Sequence, residues 1–192
     1  MARTSISDRT KGVVPAPPMK GASPMPIPVE PSIDDRVDDD RVDAAVAWLK
    51  RHATKATLEG MARYAIPSDH AFGVSMANIQ QLAKRLGRNQ ALAQALWETG
   101  WYEARTLAAY VGEPDRLTSA QMDRWCRDFD NWAICDTLCF ALFDRSPHAW
   151  KKVALWAGRR DEYAKRAAFA LLASLALHDR DAADAPFIEG LS

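Results

Sequence analysis

The sequence predicts an all-α fold, a solenoid of stacked helical hairpins. From residue 43 onward, apolar residues recur three and four positions apart, which is the spacing of one face of an α-helix. No stretch shows the clean alternation of apolar and polar residues that a half-buried strand requires. The prolines Pro67, Pro114, Pro147 and Pro186 recur at intervals that leave room for two or three short helices between breaks. Such spacing favours repeated helical units, and a compact helical bundle is the alternative.

Residues 1–40 are predicted to be a flexible tail. Seven of the eleven prolines lie between Pro15 and Pro31, and the charged passage 34–41 follows them. A segment rich in proline and charge cannot form a helix or bury a core. The folded domain is therefore expected to span residues 41–192. Because residues 187–192 stop inside a helical pattern, we expect this domain to be truncated, without further C-terminal repeats.

The helical region divides into ten predicted helices. The first begins near Asp39 or Asp43, since acidic residues suit a helix N-terminus. The later breaks coincide with glycine, proline or the His178-Asp179 turn, and the glycines and prolines concerned are Pro67, Gly87, Gly100, Gly112, Pro114 and Pro147. The predicted helices are 42–53, 55–65, 74–87, 89–99, 101–112, 118–129, 131–143, 147–157, 161–178 and 181 to the C-terminus. This arrangement is typical of HEAT or armadillo repeats.

Composition restricts the class of protein. The 192 residues include 25 Lys+Arg and 25 Asp+Glu, so no overall basic excess indicates a nucleic-acid partner, and any binding surface must be local. Cys126, Cys135 and Cys139 form no paired disulfide framework and no zinc spacing, so we expect core thiols in a reduced, cytoplasmic compartment. No apolar run approaches the ~20 residues of a membrane span. We expect a monomer without cofactor, metal or membrane contact.

A local basic excess lies between Arg145 and Arg166. Seven Lys and Arg residues stand there against Asp161 and Glu162, which gives this stretch a net charge of +5. This density is compatible with a surface that binds phosphates, and an ordinary solvated helix surface is the alternative. The predicted DNA contacts from this region are Arg145, Lys151, Lys152, Arg159, Arg160 and Lys165.

Trp132 and Asp136 form the most informative pair of residues. They are one helical turn apart and so share a face, which places an indole ring beside a carboxylate. Such a pair can hold a cation, the ring by its quadrupole and the carboxylate by its charge. In the alternative interpretation, Trp132 packs inside while Asp136 pairs with an arginine of the next repeat.

Short motifs in a fixed order give the sequence a family resemblance. In chain order they are Met61-Ala62-Arg63-Tyr64, Phe72-Gly73-Val74, Leu96-Trp97, Glu103-Ala104-Arg105, Asn131-Trp132 with Asp136, and Lys165-Arg166-Ala167-Ala168. Together they resemble the DNA alkylation repair family of AlkD-type DNA glycosylases over about residues 45–190. The resemblance implies a HEAT-like solenoid that wraps duplex DNA containing alkylated bases. It also implies excision of positively charged N3- and N7-alkylated purines without flipping the base into a pocket.

The resemblance also implies roles for individual residues. Trp132 resembles the family's aromatic residue against the deoxyribose, Asp136 its catalytic carboxylate and Arg166 its active-site arginine. Tyr64 resembles a tyrosine near the DNA. Because an alkylated purine already carries the positive charge of a good leaving group, the reaction needs stabilisation of an oxocarbenium-like sugar and a positioned water. The alternative is a non-catalytic helical-repeat module that binds DNA structures or a protein partner.

Overall fold

The computed structural model describes residues 33–178, all within one compact unit. Over this range the chain is helical and contains no β-strand, so the all-α prediction is confirmed there. The α-helices are α1 (Ile33–Arg51), α2 (Lys55–Arg63), α3 (Met76–Leu86), α4 (Gln90–Glu98), α5 (Tyr102–Val111), α6 (Ser119–Arg127), α7 (Trp132–Ala141), α8 (Ala149–Ala157) and α9 (Glu162–His178). Short 3₁₀ helices span Pro114–Arg116 and Phe143–Arg145.

Most helices begin close to where the sequence predicts, because polar side chains cap their first turns. Each capping oxygen accepts a hydrogen bond from the backbone N–H three residues later, which satisfies one of the free donors of the first turn. The caps of α2, α3, α4, α6 and α7 are Thr54, Ser75, Asn89, Thr118 and Asn131.

The two ends of the chain compare differently with the prediction. Helix α1 begins at Ile33 rather than near residue 42, within the segment expected to be a tail. The rest of that predicted tail, residues 1–32, and the predicted helix from residue 181 lie outside the described residues. The domain division at residue 40 therefore stays a prediction.

The helices form two layers. Helices α3, α5, α7 and α9 pack side by side in chain order, and α4 and α8 pack against α5 and α9. In the second layer α1 contacts α4. The indole rings of Trp97 on α4 and Trp125 on α6 stack with their centres 4.6 Å apart. Trp156 of α8 donates a hydrogen bond to Asp123 of α6. One layer therefore presents the outward faces of α3, α5, α7 and α9 together.

Side-chain hydrogen bonds recur at a nearly constant separation along the chain. These pairs join corresponding positions of successive helical hairpins, which is the pattern expected of stacked repeats. They are Gln80 with Tyr110, Gln90 with Gln121, Trp97 with Asp128, Asp123 with Trp156, Asp136 with Arg166, and Asp144 with Ser174. The number of residues that separates the members of each pair is the length of the repeat. It is smaller than most of the spacings between Pro67, Pro114, Pro147 and Pro186.

The three cysteines are free and buried. The thiols of Cys135 and Cys139 face the backbone carbonyls of Tyr163 and Ala167 at 3.7 and 3.5 Å, where α7 packs against α9. Burial raises the pKa of Cys126 to about 12 and that of Cys139 well above its ordinary value. Cys126 and Cys139 are therefore packed, unreactive thiols, and Cys135 is buried like them.

Two of the motifs that carry the family resemblance have a structural role. Glu103 of α5 is fully buried, and its carboxylate accepts hydrogen bonds from the backbone N–H groups of Phe72, Gly73 and Val74 at 2.7 to 3.2 Å. Gly73 has φ +86°, and a Cβ there would lie 2.6 Å from the carbonyl oxygen of Thr54. The buried carboxylate thus fixes the loop before α3 in a conformation that requires glycine.

Candidate functional site

Asp136 and Arg166 form an ion pair between α7 and α9. Arg166 Nε donates to Asp136 Oδ1 at 2.8 Å, and Nη2 donates to Oδ2 at 2.6 Å. This two-point contact fixes the plane of the carboxylate, and its hydrogen bonds raise the pKa of Arg166 above its ordinary value. The Asp136 side chain stays 27% exposed and the Arg166 side chain 44% exposed, so a ligand can reach both.

Trp132 lies one turn before Asp136 on α7. It is 38% exposed, and its ring lies 5.7 Å from the Arg166 guanidinium carbon. The alternative interpretation is therefore only partly correct: Asp136 does pair with an arginine of the next repeat, but Trp132 is not packed inside. That Trp132 and Asp136 hold a ligand's cation stays a prediction.

The indole of Trp132 is held from α2. Its Nε1 donates to the backbone carbonyl of Tyr64 at 2.9 Å. Tyr64 caps the C-terminus of α2, and Ala65 follows with φ +54° while Ile66 N donates to Met61 O. This left-handed turn is a common helix ending that usually places glycine at the position of Ala65. It leaves the Tyr64 carbonyl available to the indole, and the Tyr64 ring is itself exposed.

Asp136 also lines a surface cavity of about 400 Å³. The other lining residues come from α5, α7, the connection after α3 and the 3₁₀ helix after α7. They are Arg88, Tyr110, Thr137, Phe140, Ala141 and Arg145. Arg145, predicted from the basic stretch, thus lines the same cavity as Asp136, and two arginines and two aromatic rings are among the lining residues.

The prediction that Lys152 binds DNA is wrong. Its side chain is fully buried, with Nζ 2.7 Å from Asp123 Oδ2 and 5.7 Å from the centre of the Trp156 ring. Burial alone would raise the pKa of Asp123, but hydrogen bonds from Lys152 and Trp156 outweigh it and hold that pKa below its ordinary value. Lys152 therefore connects α8 to α6 within the protein and cannot reach a phosphate.

The remaining predicted phosphate contacts lie on α8, on α9 and in the segment between these two helices. Lys151 is exposed on α8, which belongs to the other layer, and Arg160 is exposed just after it. Arg159 lies 3.4 Å from Asp123 and is about one-third exposed. Lys165 is exposed on α9 beside Arg166. As DNA contacts these four stay predictions.

Sequence reasoning missed Arg88, Tyr110 and Phe140. Phe140 could have been found, because it lies one turn after Asp136 on the face that already carries Trp132. Arg88 follows α3 and Tyr110 lies near the end of α5, so only the stacking of repeats brings them to α7.

The arrangement offers fixed charge on an open surface. The carboxylate of Asp136 and the partly exposed indole of Trp132 can contact a ligand at the surface, and both groups can stabilise positive charge on it. Among residues 33–178 no cluster of three or more His, Cys, Asp or Glu side chains could hold a metal. None of the helices described is both long and apolar enough to cross a membrane.

Comparison with known proteins identifies two similarities. A family model of DNA alkylation repair enzymes matches residues 45–187. A solved structure, described as a new family of proteins related to the HEAT-like repeat DNA glycosylases with affinity for branched DNA structures, is 21% identical with a TM-score of 0.65. The similarity covers 70% of this chain and 57% of that one, so this chain spans a little over half that protein's length. The predicted HEAT-like fold is confirmed. Among curated proteins, none matches this chain.

Proposed function

This chain belongs to the DNA alkylation repair enzyme family, and we propose that it is a DNA glycosylase acting on positively charged N3- and N7-alkylated purines in duplex DNA. The observation that carries the proposal is the contact of Asp136 with Arg166 beside the exposed ring of Trp132. These are the three residues that the resemblance assigns to catalysis.

The chemistry requires little of the protein beyond charge and position. When the bond between C1′ and the purine nitrogen breaks, its electron pair moves to the alkylated purine, which leaves as a neutral base. Positive charge then develops on the sugar, and water adds to C1′ and releases its proton to bulk water. No general acid is needed, because the alkyl group has already made the base a good leaving group.

Asp136 would stabilise the developing sugar cation. A carboxylate acts this way when it is ionised and already oriented, since it then needs no reorganisation during the reaction. The two hydrogen bonds from Arg166 supply that orientation, and both carboxylate oxygens keep a lone pair for water or sugar. The face of Trp132 would pack against the deoxyribose.

The exposure of the site supports base release without flipping. Asp136, Arg166 and Trp132 lie at the outward face of α7 and α9, each at least one-quarter exposed. An enzyme that flips a base instead encloses it in a snug pocket. On an open surface the sugar and phosphate would meet the protein while the lesion stays stacked in the duplex.

A second candidate function is a non-catalytic module that binds DNA structures. The solved structure of similar fold, from a family described as having affinity for branched DNA, favours it. A binding module, however, has no need of an oriented carboxylate beside an exposed indole. For either function the cytoplasmic setting and monomeric state remain part of the proposal, and the free thiols support a reducing compartment.

Release of methylated bases tests the proposal. Duplex DNA treated with a methylating agent is incubated with an excess of protein, and free 7-methylguanine and 3-methyladenine are measured over time. A glycosylase releases both at a rate far above spontaneous loss. Tight binding to branched DNA without any release above background would reject the glycosylase and support the binding module.

A further inference from the structure

A groove continues from Asp136 across α5 to the end of α3. Next to the cavity at Asp136 lies a second cavity of about 360 Å³, and the two share Arg88 and Tyr110. We call this surface the α3–α7 groove, and its residues used here are Gln80, Lys84, Arg88, Tyr110, Asp136, Phe140 and Arg145. We propose that the α3–α7 groove binds a segment of unpaired DNA beside the site of base release. This inference rests on the proposed function, because it takes DNA as the ligand.

The charge of the groove is complementary to a phosphate backbone. Lys84, Arg88 and Arg145 line it from three different segments of the chain. Its one carboxylate among the lining residues, Asp136, is already paired with Arg166. A nucleic-acid strand along the groove would therefore meet three cationic side chains and one carboxylate whose charge Arg166 partly offsets.

Arg88 and Tyr110 are held in place by contacts within the protein. Arg88 Nη1 donates to the carbonyl oxygen of Gly112, at the end of α5. The hydroxyl of Tyr110 accepts from Gln80 Nε2 at 3.2 Å. A ring and a guanidinium that are fixed before binding lose little conformational entropy when a ligand arrives.

Two aromatic rings distinguish an unpaired strand from a duplex. Phe140 is 40% exposed although its helix neighbours Leu138 and Cys139 are fully buried, and Tyr110 is partly exposed. An exposed phenylalanine ring in a cationic groove offers a stacking surface for a base. Bases within a duplex already stack on one another, whereas an unpaired base has a free face for Phe140.

The experiment measures binding of fluorescent oligodeoxythymidine and of an undamaged duplex of equal length by anisotropy. We expect Phe140→Ala and Tyr110→Ala each to weaken oligodeoxythymidine binding about tenfold, the loss of roughly one stacked base. Tyr110→Phe keeps the ring but loses the hydrogen bond from Gln80, so it should weaken oligodeoxythymidine binding less than Tyr110→Ala does. Duplex binding should change less than twofold in all three variants.

Two controls separate stacking from general effects. Leu155→Ala removes a comparably exposed apolar side chain from α8, outside the groove, and should change neither affinity. Phe140→Leu keeps an apolar side chain and so preserves folding, but should lose most of the affinity that Phe140→Ala loses.

The charge of the groove is tested separately. Lys84→Ala should reduce the salt slope of oligodeoxythymidine binding by about 0.7. Lys55→Ala, which replaces an exposed lysine on α2, should leave that slope unchanged.

Failure of this inference is distinguishable from failure of the proposed function. If the parent releases methylated purines and binds duplex but does not bind oligodeoxythymidine, the groove proposal is overturned alone. Equal affinity of Phe140→Leu and the parent for oligodeoxythymidine would also overturn it. If the parent protein neither releases methylated purines nor binds duplex DNA, the proposed function is rejected instead.

Discussion

The carboxylate of Asp136 and the guanidinium of Arg166, 30 residues apart, meet through two hydrogen bonds of 2.8 and 2.6 Å. The separation is one structural repeat, so the pair exists only because successive hairpins stack in register. Asp136 of one repeat is oriented by Arg166 of the next. The charged centre of the site is therefore a product of the repeat architecture.

Trp132 and Asp136 should act as a unit. Trp132→Ala removes the ring that would contact the sugar, and Asp136→Asn removes the charge that would stabilise it. Because both act on the same transition state, the loss of single-turnover rate in the double variant should be smaller than the product of the single losses. A double-mutant cycle on 7-methylguanine release measures this, and fully additive losses would mean that the two residues act independently.

The hydrogen bond from Trp132 to Tyr64 should position the indole. Trp132→Phe keeps an aromatic ring but has no donor for the Tyr64 carbonyl, so the ring becomes free to tilt. We expect release to slow about tenfold, with a loss of folding stability of about 1 kcal/mol. The matched control is Trp101→Phe, at an indole that stacks on Phe72, and it should release base at the parent rate. Equal release rates for Trp132→Phe and the parent would show that the hydrogen bond is not needed.

Arg145 should contribute more to DNA binding than Lys151. Arg145 lines the cavity at Asp136, whereas Lys151 lies on α8 in the other layer. Replacing Arg145 with Ala should lower the slope of log affinity for oligodeoxythymidine against log salt by about 0.7, the value for one phosphate contact on a single strand. Lys151→Ala should leave the slope unchanged. A larger effect of Lys151 would place the DNA across the other layer.

Lys152 should affect folding and not DNA binding. Lys152→Met keeps the buried side-chain length but removes the charge that pairs with Asp123, which we expect to destabilise the fold by about 1 kcal/mol, because Asp123 keeps its contacts with Arg159 and Trp156. Urea unfolding measures this, and salt-dependent titration of the folded variant with duplex DNA should match the parent. If the variant unfolds at the same urea concentration as the parent but binds DNA more weakly, Lys152 contacts DNA after all.

The pair of Asp123 and Lys152 should make stability depend on acid pH. The pKa of Asp123 lies below its unfolded value of about 3.9. Its contribution is therefore complete above that value and is lost as the pH falls through the folded pKa. Between pH 6 and pH 2.5, Asp123→Asn should lose less stability than the parent, as measured by urea unfolding. Parallel losses in the two proteins would assign the acid sensitivity to other groups.

The sequence predicts the helices well because their boundaries depend on local chemistry. Asn131 and Asn89, for example, are the N-cap residues of α7 and α4, and each directly precedes its helix in the sequence. The face shared by Trp132 and Asp136 is equally local, since it follows from helical periodicity. The start of α1 at Ile33 was missed because the proline-rich sequence before it favours an extended chain.

Residues whose environment depends on tertiary packing could not be predicted in the same way. Lys152 occurs in a basic stretch, yet it shares a helix face with the buried Ala149, Val153 and Trp156. That periodicity indicates burial, but the carboxylate that makes burial possible belongs to α6. Arg88 and Tyr110 likewise reach Asp136 only through the stacking of repeats.

The most direct test of the central claim is the rate at which Asp136→Asn releases 7-methylguanine from methylated duplex DNA under single-turnover conditions. The substitution keeps the shape of Asp136 and removes its charge, so we expect release about 10² to 10³ times slower than in the parent. Affinity for undamaged duplex should barely change, and Asp115→Asn, at an exposed carboxylate in the turn after α5, should release at the parent rate. Equal release by Asp136→Asn and an active parent would contradict the account and make Asp136 a structural partner of Arg166.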